Sequence, residues 1–227
     1  MFEQKRFTHK DVMITSDLLS ENTESGRYYV LESGKKLPSV TTVTGWKKNK
    51  FFAKWRANNP KEAKRVTRRG NKLHSVIENY VNNEEIDINS IPPNERELFL
   101  QMKESVDKID NVRCTEMCLA SERIGVAGRV DCIAEYDGKL SIIDFKGSTR
   151  KKWTSDIENY FLQATAYSLM WQEISEEKVE QIVIIIGCET GDTQVFIEKP
   201  LNWVRGLRKE IKDYVDSHSE PAEPSLF

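Results

Sequence analysis

The sequence predicts an α/β fold in which one mixed central sheet is flanked by helices. Three observations carry this. From Glu95 onward the pattern reads helix, strand, strand, strand, helix, strand, an order that sets helices against a single sheet. Asp137-Gly138 links two of those strands with a strong tight-hairpin signal. "VEQIVIIIGCE" is almost unbroken apolar, β-branched sequence, the pattern of a strand buried on both faces.

The elements follow in order. Residues 1–26 are polar and read as a loose lead-in. "RYYVLESGKKLPSVTTVT" reads as a hairpin turning at Ser33-Gly34, with Pro38 opening a second short strand. A short helix is expected over 47–58. A longer one is expected over 61–82, where Val66, Leu73, Ile77 and Tyr80 recur at helical spacing and Pro60 suits the first turn. A loop containing "IPPN" leads to a third helix from Glu95 to about residue 110. Strands are expected over 112–122, 128–136 and 139–146, then an amphipathic helix over 155–174. Gly191-Asp192 separates the apolar strand from "TQVFIEK", and a last helix over 201–217 runs into an acidic tail. No repeat or linker divides the chain. It reads as one compact domain in which residues 1–92 pack on a core of residues 93–218, with 219–227 as a flexible tail.

At 227 residues the chain is long enough to bury a sizeable core. No apolar run approaches the roughly 20 residues that span a bilayer, and the N-terminus lacks the apolar stretch of a secretory signal. The expectation is a cytoplasmic protein that is not secreted and has no membrane partner. Cys114, Cys118, Cys132 and Cys188 lack metal-site spacing and sit in strand-like stretches, so they read as buried reduced thiols. The net charge of −2 hides an asymmetry: residues 46–72 hold eleven Lys or Arg and one acid, Glu62. A local field of that sign draws in polyanions whatever the total charge.

The same hairpin raises a question of charge. If Asp137-Gly138 is a two-residue turn, Tyr136 pairs with Lys139, and the register carries Asp131 opposite Asp144, with Cβ atoms roughly 5 Å apart. Lys146, two residues past Asp144, shares its face, and Arg129 would stand opposite Lys146. Like charges facing each other repel, and burying them costs more. Two carboxylates on one face suit a hard divalent cation with oxygen ligands, to which the Phe145 carbonyl would be a third donor. Lys146 would then meet a phosphate oxygen or an attacking water. These are the parts of metal-assisted phosphodiester hydrolysis. A solvated, exposed hairpin is the bland alternative, and the apolar "LSIIDFK" argues against it.

"GRVD", "IIDFK" and "QATAY", in that order, resemble the PD-(D/E)XK nuclease superfamily, in its RecB-like exonuclease branch. The likeness extends to mitochondrial genome maintenance and phage exonucleases. It runs from "LPSVTTV" through "RRGNKLHSVIE" to "LQATAYSLM". It implies a restriction-endonuclease-like αβββαβ core with an N-terminal hairpin and helical extension. By position it implies that Asp131 and Asp144 bind metal and that Lys146 is the catalytic lysine. It implies too that His74 lies near the metal, and that Gln163 and Tyr167, one helical turn apart, border the site. Glu116 stands where relatives carry a further glutamate, with Glu122 as a rival. The implied cofactor is Mg2+ or Mn2+. An iron–sulfur cluster is not expected, since three of the cysteines are mid-chain and none follows Cys188. Gly147-Ser148 replaces the Thr-Ser common after the lysine.

Trp46, Phe51, Phe52 and Trp55 are interleaved with the basic residues of 46–72, the mixture that stacks unpaired bases and tracks phosphates. Their competing reading is plain helix core. The expected DNA contacts are Lys54, Trp55, Arg68, Arg69 and Lys72 on this path, joined by Arg129, Ser148, Arg150 and Lys151. The expected partner is DNA, single-stranded or frayed, in replication, recombination or repair, in a bacterial or phage-infected cell. The ending "EPSLF" loosely resembles peptides that dock on sliding clamps. Two other functions stay open on sequence: a structure-specific endonuclease, and a non-catalytic DNA-binding module.

Overall fold

The computed structural model describes residues 2–12, 14 and 18–218. The acidic tail, and with it the clamp reading, lies outside the described residues. Among the described residues eight strands and five α-helices occur in the order β1 (Leu19–Thr23), β2 (Gly26–Val30), β3 (Lys36–Pro38), α1 (Val40–Asn58), α2 (Pro60–Val81), α3 (Pro93–Val106), β4 (Ile109–Ser121), β5 (Val126–Tyr136), β6 (Lys139–Ser148), α4 (Glu158–Ser175), β7 (Gln181–Cys188), β8 (Gln194–Glu198) and α5 (Pro200–His218). The run α3-β4-β5-β6-α4-β7 is the expected αβββαβ core.

The central sheet has the order β4-β5-β6-β7-β8. All neighbours are antiparallel except β6 and β7, which are parallel because α4 carries the chain back across the sheet between them. β7 is buried at every residue, as its sequence implied. The α4 helix lays Phe161, Met170 and Trp171 on the face bearing Ile142, Ile182 and Ile184. On the opposite face, Leu73 and Ile77 of α2 and Phe99 and Met102 of α3 cover Ile143, Phe145, Val183 and Ile185. Among the described residues no helix is long and apolar enough to cross a membrane.

Two expectations are corrected near the N-terminus. The segment before residue 26 is not a loose lead-in. Leu19–Thr23 pairs with β2, and Phe7, 4% exposed, packs edge-on against Tyr80 at 5.2 Å between centroids. Lys5 Nζ donates to the carbonyls of Asp107 and Ile109 at 2.6 and 2.7 Å. These partners are distant in sequence, so no local pattern announces them. Pro38 ends β3 rather than opening a strand, and the β-branched run after it is helical. Ser39 caps α1, its hydroxyl accepting from the Thr42 N–H at 3.0 Å. Capping and packing there outweigh the β-propensity of Val and Thr.

Candidate active site

The hairpin has the register inferred from its turn: Tyr136 pairs with Lys139, and pairing continues to Cys132–Ile143. One step further lie Asp131 and Asp144, and there the strands part. β5 stays with β4, while β6 continues along β7. The Phe145 N–H, released from the ladder, donates to Asp131 Oδ2 at 2.9 Å. The N–H and carbonyl of one strand residue point to the same side, so the Phe145 carbonyl also faces the gap. The fork thus exposes strand polar groups inside an otherwise apolar sheet. It also corrects one placement: Arg129 does not oppose Lys146 but pairs with Cys118 on β4, because β5 has already left β6.

Asp144 is 2% exposed. Its Oδ1 accepts from Lys146 Nζ at 2.5 Å, and Asp131 Oδ2 lies 3.9 Å from the same nitrogen. One ammonium therefore faces both carboxylates. Burial pushes the Asp144 carboxyl upward, with the Lys146 charge pulling the other way. Burial would lower the Lys146 pKa, but Asp144 and Asp131 outweigh it, so the side chain is held as an ammonium. Lys146 Nζ also sits over the Tyr160 ring at 5.3 Å from the centroid.

His74 reaches the same acids from α2, beside the core residue Leu73. Its Nδ1 is 3.5 Å from Asp131 Oδ2 and 4.0 Å from Glu116 Oε1. Burial lowers the imidazole pKa, yet the Asp131 charge and the nearby Glu116 carboxylate outweigh it, for a net rise. His74, Glu116 and Asp131 each offer a ligand atom, all within 4.8 Å of one another. Glu116 is turned there by a left-handed backbone, φ 49°, on β4. The rival Glu122 instead pairs with Lys35 at 3.0 Å on the surface. A divalent cation fits this set: hard oxygen donors and one imidazole converge, and the buried Asp144 Oδ2 has no hydrogen-bond partner.

Gln163 and Tyr167 lie one turn apart on the buried face of α4. The Tyr167 hydroxyl runs under β5 at Gly128, where a Cβ would come within 2.7 Å of it. Tyr160 and Glu78 were missed in the sequence. Tyr160 precedes Gln163 by three residues, and Glu78 follows His74 by four, so helical spacing could have found both. Burial, then the Glu116 charge, raises the Glu78 pKa.

The basic path divides. Lys47, Arg65 and Arg69 are ion-paired within the protein. Among the described residues Lys48, Lys50, Lys54, Arg56, Lys61, Lys64, Arg68 and Lys72 carry no ion pair. Arg69 departs from the expected phosphate contact, because it turns inward to Glu189 at 2.5 Å and to the Gly147 carbonyl at 3.2 Å. Ser148 is also buried, its hydroxyl donating to the Arg150 carbonyl at 2.6 Å. Lys151 pairs with Asp192 at 3.2 Å on the surface, and Arg129 lies 3.9 Å from Glu116 Oε2. Arg150 is exposed. Two of the aromatics are not core, Phe51 being 68% exposed and Phe52 42%; Trp55 is half-buried, and Trp46 packs against the core beside Tyr214. All four cysteines are free thiols, and burial pushes Cys114 up to about 12.

Comparison with known proteins bears on this arrangement. The family model of the PD-(D/E)XK nuclease superfamily matches residues 48–220. The chain belongs to the PD-(D/E)XK nuclease superfamily. That span runs from within α1 past α5, so it includes the fork, His74 and the exposed cations. Among solved structures the PD-(D/E)XK chain is similar to a provisionally assigned exonuclease from Eubacterium rectale. Identity is 14%, coverage is 71% of each chain and the TM-score is 0.42. None of the curated proteins matches the sequence.

Proposed function

We propose that this nuclease is a divalent-metal-dependent DNA exonuclease acting on single strands or frayed ends, in replication, recombination or repair. The observation that carries the reading is the convergence of Asp131, Asp144, Lys146 and His74 where β5 and β6 part. Asp131, Glu116 and His74 would hold Mg2+ or Mn2+, with the free oxygen of Asp144 and the Phe145 carbonyl completing the oxygen-rich side. When bound, the ion supplies Lewis acidity at the phosphate and a more acidic water. The remaining roles belong to the protein. Lys146, held as an ammonium, donates to a non-bridging phosphate oxygen and offsets charge building there during attack. Tyr160 fixes the lysine by packing under it. Gln163 and Tyr167 set the height of β5 through Gly128 and so position Asp131. In this reading the RecB-like branch fits best, with residues 93–218 as the nuclease core and residues 1–92 packed on it, supplying His74 and the substrate grip.

A free-end requirement separates this reading from an endonuclease. The purified protein with Mg2+ or Mn2+ should degrade linear single strands and leave covalently closed circles intact. Equal cleavage of circles would establish the endonuclease, and no cleavage of either would leave a binding module. The grip has its own expected result. Arg68→Ala and Lys72→Ala should weaken binding and lower the slope of log K against log salt by about 0.7 each, as expected for lost single-strand phosphate contacts. An unchanged slope removes both from the path.

A further inference from the structure

The start of α1 is anchored by buried Val40, Thr42, Val43 and Thr44; beyond Thr44 none of its residues is fully buried. Yet this outer part carries Phe51, Phe52 and Trp55, with the first two rings edge-on at 5.4 Å. Exposed aromatic surface of that kind on a helix marks a contact still to be made. The rings do not face open solvent alone. They form one wall of a cavity of about 480 Å³, within the range of about 300–1,000 Å³ typical of ligand sites. The opposite wall is Gly147, at the exit of β6, with Lys152 and Tyr160. Tyr160 is the residue whose ring lies under Lys146, so the cavity begins beside the catalytic lysine. Arg56 and Lys152 border it, and neither carries an ion pair among the described residues.

We propose that this cavity is a nucleobase subsite, filled by an unpaired base of single-stranded DNA next to the phosphate held at Lys146. The base stacks on Phe52 and Trp55, and Arg56 and Lys152 hold the adjoining phosphates. This rests on the nuclease reading above and adds to it the physical basis of strand choice. A base in a duplex has both faces covered by its neighbours; an unpaired base has a face to offer, and stacking of this kind is tolerant of sequence. The occupant is fixed by charge and shape together: aromatic walls flanked by unpaired cations complement a flat ring joined to an anion.

The test uses the full chain carrying Asp144→Asn, so that oligonucleotides survive. Binding of a thymidine 12-mer is compared with binding of an abasic 12-mer of equal charge, by fluorescence anisotropy. Phe52→Ala with Trp55→Ala should weaken binding of the thymidine strand by about ten-fold or more, on the scale of base–aromatic stacking. It should leave the abasic strand unchanged, and Trp55→Phe alone should keep most of the affinity. Equal losses on both strands, or no loss on either, overturn the subsite. Cleavage of linear single strands by the unsubstituted protein is scored separately. If it cuts but the two strands respond alike, only the subsite falls; if it neither cuts nor binds, the nuclease reading falls with it.

Discussion

Asp144→Asn protein folds but cuts phosphodiester bonds about 10³-fold more slowly or worse, because several kcal/mol of charge stabilisation goes with the carboxylate. The expectation rests on the two oxygens of one side chain. Oδ1 is occupied by Lys146 at 2.5 Å, and Oδ2 is buried with no partner. A buried acceptor left unmade costs stability, so its retention points to a role outside the fold. Asparagine keeps the shape and one acceptor but removes the charge that both Lys146 and a cation would use. The fold should survive because the Lys146 side chain keeps 21% exposure and can turn its ammonium toward water. Lys146→Met separates the two roles. It should also abolish cleavage, yet leave the oxygen donors to bind Mn2+ in calorimetry, whereas Asp144→Asn should weaken that binding. Cleavage by Asp144→Asn at the unsubstituted rate would remove the fork from the chemistry.

Much of this site was legible because a hairpin converts sequence into distance. Asp137-Gly138 fixed which residues face each other, and the observed ladder follows that register to Cys132–Ile143. What the turn could not reveal is where pairing stops. The parting of β5 from β6 depends on β4 and β7, elements remote in sequence, and so Arg129 was misplaced. The basic segment shows the same division. Its charge was countable, but which cations were already spoken for was not. Arg69 falls on the inner face of α2 and meets Glu189 from the end of β7, and nothing local to "RRGNK" marks that partner. Helix spacing could have found Tyr160; the burial of Phe7 against Tyr80 had no comparable signal.

Glu189→Gln should destabilise the fold by about 3 kcal/mol, since removing one partner strands a buried charge. Arg69 is 2% exposed, and its guanidinium depends on Glu189 at 2.5 Å and the Gly147 carbonyl at 3.2 Å. Arg65 adds a second contact to Glu189 at 2.6 Å from the rim. The pair fastens α2 to the end of β6, the strand that carries Lys146, and to the end of its neighbour β7. Five residues after Arg69 on the same helix comes His74, so a loosened seat should also weaken Mn2+ binding although Glu189 is no ligand. The pH dependence has a definite sign. The Arg65 hydrogen bond, against opposing burial and with help from Arg69, holds Glu189 down to about 2 from an ordinary 4.5. A depressed carboxyl contributes stability above its unfolded pKa and loses it as the folded group protonates. Unfolding free energy should therefore fall as pH drops from about 4.5 toward 2, and fall less steeply in Glu189→Gln. Urea titrations at a series of pH values provide the measurement. Parallel curves for the two proteins, or an unchanged midpoint at neutral pH, would show that α2 is seated by its apolar face alone.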